Sequence, residues 1–125
     1  MKVLVDTSVW VAHFKQPNAL LGAMLGADQV LMHPMVLGEI ACGTPPDRKR
    51  TLMDLATLGQ VSLATMDEVV AFVERERLYG RGCGLVDLIL LASTLMTVGA
   101  LLWTVDKRLA DLAEPLGVLY RPSFH

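Results

Sequence analysis

Four acidic residues interrupt apolar runs in this chain: Asp6 at the end of "KVLVD", Glu39 within "MVLGEIACG", Asp87 at the head of "VDLILLASTLM" and Asp106 after "LLWTV". A carboxylate among apolar side chains needs a partner, since even a neutral polar group without one costs on the order of 2–7 kcal/mol to bury. No Lys or Arg lies within a helical turn of Glu39 or Asp87, so no local ion pair accounts for them. Carboxylates that converge repel and raise one another's pKa, and a bound divalent cation is the common resolution. A ligand set made only of oxygen suits Mg2+ or Mn2+ and not zinc.

Three of the acids also have plainer readings. Asp6 and Asp106 each precede a helical pattern, and Asp is a leading N-cap residue. Asp87 in a first turn complements the helix dipole. Glu39 is harder to dismiss, because it is the only charge between Asp28 and Asp47, in a helix otherwise built from Met, Val, Leu, Ile, Ala and Cys.

The elements that must carry these residues follow from the apolar pattern. Residues 2–6 read as a buried parallel strand ending at Asp6. Asp6, Thr7 and Ser8 are all good caps for a helix through "VWVAHF", which Pro17 and Asn18 break. "ALLGAMLGA" reads as a second short helix and "QVLMH" as a second strand. Pro34 opens the helix of Glu39, where its missing N–H is harmless, and Pro45 and Pro46 mark a stop. "DRKRTLMDLATLG" places Leu52, Leu55, Ala56 and Gly59 on one helical face. Thr65 and Glu68 have the spacing of a capping box ahead of the stripe Val69, Phe72 and Val73. After the turn "GRGCG" and the run from Asp87, "DKRLADLA" gives a helix and "GVLYR" a last strand. Strands alternating with helices imply a mostly parallel sheet covered on both faces, and such sheets hold their sites beyond the carboxyl ends of the strands.

Residues 88–105 carry no charge over eighteen positions, which is just long enough to span a bilayer. Ser93, Thr94 and Thr97 within the run, Gly99 as a helix stop and the β-type "LLWTV" after it favour two elements instead. A helix over 85–98 carries the chain roughly 18 Å away from Asp87 at 1.5 Å per residue. A strand over 101–105 brings it back roughly 16 Å at 3.3 Å per residue. Asp87 and Asp106 then share one edge of the sheet, and no membrane span is expected.

The chain has 125 residues, the size of a single domain over 1–125 with a core that needs neither disulfides nor a structural metal. Cys42 and Cys83 form no C-x-x-C pair, the first residues lack the apolar core of a signal peptide, and a reduced cytoplasmic setting fits. A net charge of −2 gives no global attraction to a polyanion. Basic residues nevertheless gather at Arg48, Lys49 and Arg50, at Arg75, Arg77 and Arg81, and at Lys107 and Arg108. A mean hydropathy of +0.45 leaves apolar side chains for a partner surface beyond the core. His13, His33 and His125 have no matching Ser or Cys nucleophile and are expected to have no catalytic role. Met24, Met32, Met35, Met53, Met66 and Met96 read as core filler, or in part, with Trp10 and Phe14, as partner surface.

"LVDTSVW" at 4–10, "GEIACG" at 38–43, "GLVDLILLAST" at 84–94 and "LLWTVDKRL" at 101–109 resemble the four motifs of PIN-domain nucleases, in particular the VapC-type toxins of bacterial type II toxin–antitoxin pairs. Their acids are 33, 48 and 19 residues apart, and the resemblance covers nearly the whole chain. It implies a PIN-like three-layer α/β/α fold with a mostly parallel, roughly five-stranded central sheet. It also implies a Mg2+- or Mn2+-dependent endoribonuclease that inhibits translation and growth. Asp6, Glu39, Asp87 and Asp106 would be both the catalytic and the metal-holding residues, supported by Ser8 and by Thr104 of a T-x-D motif. The implied partners are RNA, a VapB-type antitoxin, and a homodimer or toxin–antitoxin hetero-oligomer. One departure is His33-Pro34 at the opening of the Glu39 helix, where relatives often carry Ser or Thr. A metal held by these acids would activate a water, orient the scissile phosphate and neutralise developing charge. Lys107 and Arg108, beside Asp106, are the better candidates for RNA contact. The other two basic groups either hold flanking phosphates or form solvated helix faces.

Two other functions compete. A non-catalytic PIN-like interaction module would keep the fold without needing all four acids. A receiver-type signalling domain needs an acidic pair after the first strand and a phosphate-accepting Asp ending the third. Here Asp6 stands alone before Thr7, and Asp54 lies in a helical pattern.

Overall fold

In the computed structural model, which describes residues 1–122, the apolar run at the N-terminus forms strand β1 (Lys2–Val5). It leads into helices α1 (Thr7–Lys15) and α2 (Ala19–Gly26). Strand β2 (Val30–Met32), helix α3 (Pro34–Ala41), helix α4 (Arg48–Leu55) and the two-residue strand β3 (Gly59–Gln60) follow. Helices α5 (Met66–Glu76) and α6 (Leu85–Met96), strand β4 (Ala100–Trp103) and helix α7 (Lys107–Ala113) complete the order. The strands pair β3-β2-β1-β4, all parallel, in a three-layer α/β/α arrangement.

The sheet has four strands where the resemblance implied roughly five. "GVLYR" contributes one parallel bridge, Leu102 to Leu119, with Leu102 N donating to Val118 O and Tyr120 N to Leu102 O. Gly117 at φ 73° precedes this step and Pro122, which has no N–H to give, follows it, so the pairing does not extend.

Local signals explain most element boundaries. Asp6, Asn18, His33, Thr65 and Asp106 each cap the helix that follows with a side-chain acceptor. The box between Thr65 and Glu68 is closed in both directions. At α3 an imidazole does the work of the usual hydroxyl, with His33 Nδ1 accepting from Met35 N at 3.0 Å.

Helix α6 buries every residue from Leu88 to Thr94 and packs against α5 and β4. Its hydroxyls satisfy neighbouring backbone instead of facing lipid. Ser93 Oγ accepts from Ala64 N at 3.2 Å and lies 3.3 Å from His33 Nε2, while Thr97 Oγ1 accepts from Ser62 N at 2.9 Å. Gly99, at φ 75°, supplies the left-handed residue that lets the chain reverse into β4. Among the described residues no helix is long and apolar enough to cross a membrane.

Several expected faces differ. Of the methionines read as filler, Met24 and Met32 are core, while Met35, Met53, Met66 and Met96 are exposed. Unbranched Met suits core and rim alike, so composition does not separate them. Trp10 belongs to the core and not to a partner surface, and Phe14 is only partly buried. On α4, Leu55 is buried and Leu52 half-buried, but Ala56 is exposed and Gly59 lies in β3, because the helix stops before the face is complete. His13 accepts from Asn18 N through Nδ1, and His125 lies outside the described residues.

Candidate active site

From the central strand β1 the chain passes to β2 on one side and, much later, to β4 on the other. Parallel sheets open a crevice at the carboxyl ends of the strands where the order reverses in this way. The register ends with Val5 opposite Trp103, which sets Asp6 and Thr104 next to each other just beyond the strands. Asp6 N donates to Trp103 O at 3.0 Å.

Asp6 is buried at 4% exposure, and its Oδ1 accepts from Ser8 Oγ at 2.5 Å and from Val9 N at 3.2 Å. The Thr104 side chain also hydrogen-bonds to Asp6. Both hydroxyls serve twice. Ser8 Oγ accepts from Val105 N at 3.2 Å, and Thr104 Oγ1 accepts from Asp106 N at 3.0 Å. They therefore tie the first acid to the segment that carries the last. Asp106 Oδ1 accepts from Arg108 N at 2.9 Å and Leu109 N at 3.3 Å, capping α7. Thr7 donates to Glu39 Oε1 at 2.6 Å and so links α3 to the residue after Asp6. Thr7 has no place among the site residues expected above. Its signal, a hydroxyl next to the first acid, reads equally well as a helix cap.

Burial raises the Asp6 carboxyl above its ordinary range, and the bonds from Ser8, Thr104 and the backbone of Val9 and Ser8 oppose this. The Asp87 carboxyl is also raised, first by burial and then by the charge of Asp106, with smaller contributions from Asp6 and Glu39 against a backbone bond from Gly84. Asp87 therefore lies within the field of all three other acids.

A PIN domain family model matches residues 3–115. This chain belongs to the PIN-domain family. It is also similar to ribonuclease VapC32 of Mycobacterium tuberculosis, from strains CDC 1551 / Oshkosh and ATCC 25618 / H37Rv. Each is 46% identical over 116 residues, covering 93% of this chain and 94% of the relative. These VapC-type relatives match the PIN domain over almost its whole length.

Within this PIN domain the four acids form an open group and not a closed cage. Among the described residues no three His, Cys, Asp or Glu side chains stand close enough together for a ready-made metal site. An open group of oxygen donors fits Mg2+ or Mn2+, since Mg2+ keeps several waters and takes one or two carboxylates together with substrate phosphates. The bonds that cap α7 fall on Oδ1 of Asp106, and Asp87 is only partly covered, so both have acceptor capacity toward solvent. Asp6, Glu39, Asp87 and Asp106 are the residues that could hold such an ion.

Glu39 is not in the apolar surroundings that its neighbours in sequence suggested. It is exposed, because α3 turns Val36 and Ile40 into the core and leaves Met35, Gly38 and Glu39 outside. Glu39 also lines a cleft of about 320 Å³ with Val11, Phe14, Lys15 and Pro45, which none of the other three acids lines.

Several cations of the PIN domain have structural work. Arg48 donates to Ala41 O at 2.5 Å and to Gly43 O at 3.2 Å, closing the carboxyl end of α3. Arg50 lies 4.0 Å from Asp54 on an exposed face, and the Arg75 guanidinium sits 5.8 Å from the Phe72 ring centroid. Arg77 is the left-handed C-cap of α5. Lys107 and Arg108 are exposed in the first turn of α7, next to Asp106.

Proposed function

We propose that this PIN domain is a divalent-metal-dependent endoribonuclease, the toxin of a VapC-type pair, which cleaves RNA phosphodiesters, blocks translation and growth, and is neutralised by a VapB-type antitoxin. The observation that carries the reading is Asp6 just beyond the carboxyl end of β1 at the switch point of a parallel sheet, with Asp87 in the field of Asp106, Asp6 and Glu39. The ribonuclease name of the M. tuberculosis relatives supports it.

Bound Mg2+ or Mn2+ would supply an activated water and charge stabilisation at the scissile phosphate. The chain supplies the rest. Ser8 and Thr104 orient Asp6 and favour its ionised form against the burial that opposes it. Thr7 ties Glu39 to the residue that follows Asp6. A counter-ion would favour the ionised form of Asp87, which burial and three like charges all disfavour. Without a cation the four acids repel a phosphodiester, so RNA binding and cation binding support each other. A homodimer or toxin–antitoxin assembly would cover exposed apolar side chains such as Val11, Met35, Met66, Val70, Met96 and Val98.

The test is RNA cleavage and growth inhibition by Asp6→Asn and Asp87→Asn. Both variants are expected to fold and to lose Mg2+-dependent cleavage. Full activity in both, or wild-type activity undiminished by EDTA, overturns the reading. Mapping the cleavage ends across total RNA then identifies the substrate.

A further inference from the structure

The departure at His33 puts an imidazole where α3 needs only a short polar cap, so one ring nitrogen is left over. Burial keeps the ring neutral. Nδ1 accepts from Met35 N at 3.0 Å, and the neutral ring therefore carries its hydrogen on Nε2. Nε2 lies 3.3 Å from Ser93 Oγ on α6 and donates to it. The same hydroxyl accepts from Ala64 N at 3.2 Å, ahead of α5. One chain of bonds thus joins the start of α3, the segment before α5 and the middle of α6. His33 is 4% exposed and Ser93 is fully buried. A partner lost there leaves a buried polar atom unsatisfied, so the contact resists any sliding of α6 past α3.

The bond lies next to the acidic site. The β1–β2 register sets Leu4 opposite Leu31, and two residues further on it brings His33 beside Asp6, one strand away. Along the carboxyl edge of the sheet, Asp6 thus has Thr104 on one side and His33 on the other. The two helices that the bond joins carry two of the remaining acids. Glu39 stands six residues after His33, and Ser93 stands six residues after Asp87, each about 9 Å along its helix axis. Over so short a span a helix moves as a unit, and a shift at the bond reaches the acid.

We propose that His33 is a positioning residue of the active site: its bond to Ser93 fixes the helix of Asp87 against the start of the helix of Glu39, and so holds both acids at the spacing from Asp6 that receives a divalent cation. The imidazole touches no RNA in this role. A Ser or Thr at position 33 would cap α3 but is too short to reach α6 as well. The second ring nitrogen is what the exchange to His adds. The inference rests on the metal-dependent ribonuclease reading.

The experiment measures Mn2+ affinity by isothermal titration calorimetry, with Tm recorded on the same preparations. His33→Asn keeps an acceptor for Met35 N but has no atom at the place of Nε2. It is expected to bind Mn2+ roughly 10-fold more weakly, the lower end of the loss when an outer partner of a metal site is removed. Ser93→Ala gives the same loss, and the double variant is no worse than either alone. His33→Gln reverses the pattern. Its amide nitrogen stands close to the place of Nε2, so Mn2+ affinity stays near that of the wild type while the lost cap lowers Tm. Thr97→Val is the control, because Thr97 Oγ1 ties α6 to Ser62 N at 2.9 Å without involving α3. It melts earlier and binds Mn2+ like the wild type. Wild-type affinity in both His33→Asn and Ser93→Ala, an equal loss in Thr97→Val, or affinities that follow Tm through the whole series overturns the role. So does a wild type that binds no Mn2+. Mn2+ binding without RNA cleavage overturns the nuclease reading alone, and the affinities still decide the role of His33.

Discussion

Asp106→Asn and Asp106→Ala remove the same charge but differ in what they take from the fold. Oδ1 of Asp106 accepts from Arg108 N at 2.9 Å and from Leu109 N at 3.3 Å. Asn keeps an acceptor at that position and Ala does not. Losing an N-cap typically destabilises by about 1 kcal/mol. With an unfolding entropy of roughly 2.1 cal/mol/K per residue and 125 residues, that corresponds to a Tm lower by about 4 °C. Both variants also remove one of the charges that raise the Asp87 carboxyl, so Asn is expected to melt at or slightly above the wild type. In RNA cleavage the two variants should be alike, each down by roughly 100-fold or more, the usual loss when one preorganised electrostatic group is removed. Calorimetry and a gel-based cleavage assay on the same preparations separate the two roles. An Asn variant that cleaves like the wild type reduces Asp106 to a helix cap. An Ala variant with unchanged Tm removes the cap.

Thr104→Val deletes the hydroxyl that bonds to Asp6 and accepts Asp106 N. Urea unfolding is expected to show a loss of about 1.5–3 kcal/mol, the range for hydrogen bonds to charged groups, and Thr104→Ser should restore both stability and cleavage. A valine variant as stable and active as the wild type contradicts the bridge. His33 is held below the ordinary histidine range by burial, and its Nδ1 must stay unprotonated to cap α3. The unfolded chain therefore takes up the proton first, so this contribution to stability is complete above about pH 6.5 and declines as pH falls below it. His33→Asn should flatten that decline in urea midpoints measured from neutral to mildly acidic pH, and an identical pH profile refutes the assignment. Arg48→Ala should destabilise by about 0.5–1 kcal/mol through the freed carbonyls of α3 while leaving the salt dependence of RNA binding unchanged.

Asp6, Asp87 and Asp106 were legible in the sequence because each stands where an apolar run meets a helix signal. The period of the run fixes the length and direction of its element, and with them the edge at which the acid emerges. The stretch 86–106 shows the logic, since a helix leading away and a strand leading back return the chain to one edge whatever surrounds them. The cap and site readings of Asp6 and Asp106 were set against each other, yet the structure shows that one oxygen can cap a helix at the same place where the strand delivers the carboxylate to the crevice.

Features that depend on distance across the fold were not legible. Arg48 closes the carboxyl end of α3 only because the loop with Pro45 and Pro46 folds it back, and Arg108 lies on Gly82 across a separation of 26 residues. Nothing in the composition of either stretch encodes such a meeting. Glu39 shows the same limit from the other side. Its apolar neighbours in sequence implied burial, but a helix has a face turned away from the sheet, and an acid there keeps its water. The consequence is chemical. Asp6 and Asp87 carry their charges against desolvation, while Glu39 is exposed and accepts from Thr7. Burial raises the carboxyls of both Asp6 and Asp87, so a counter-ion at the site favours the ionised form of each.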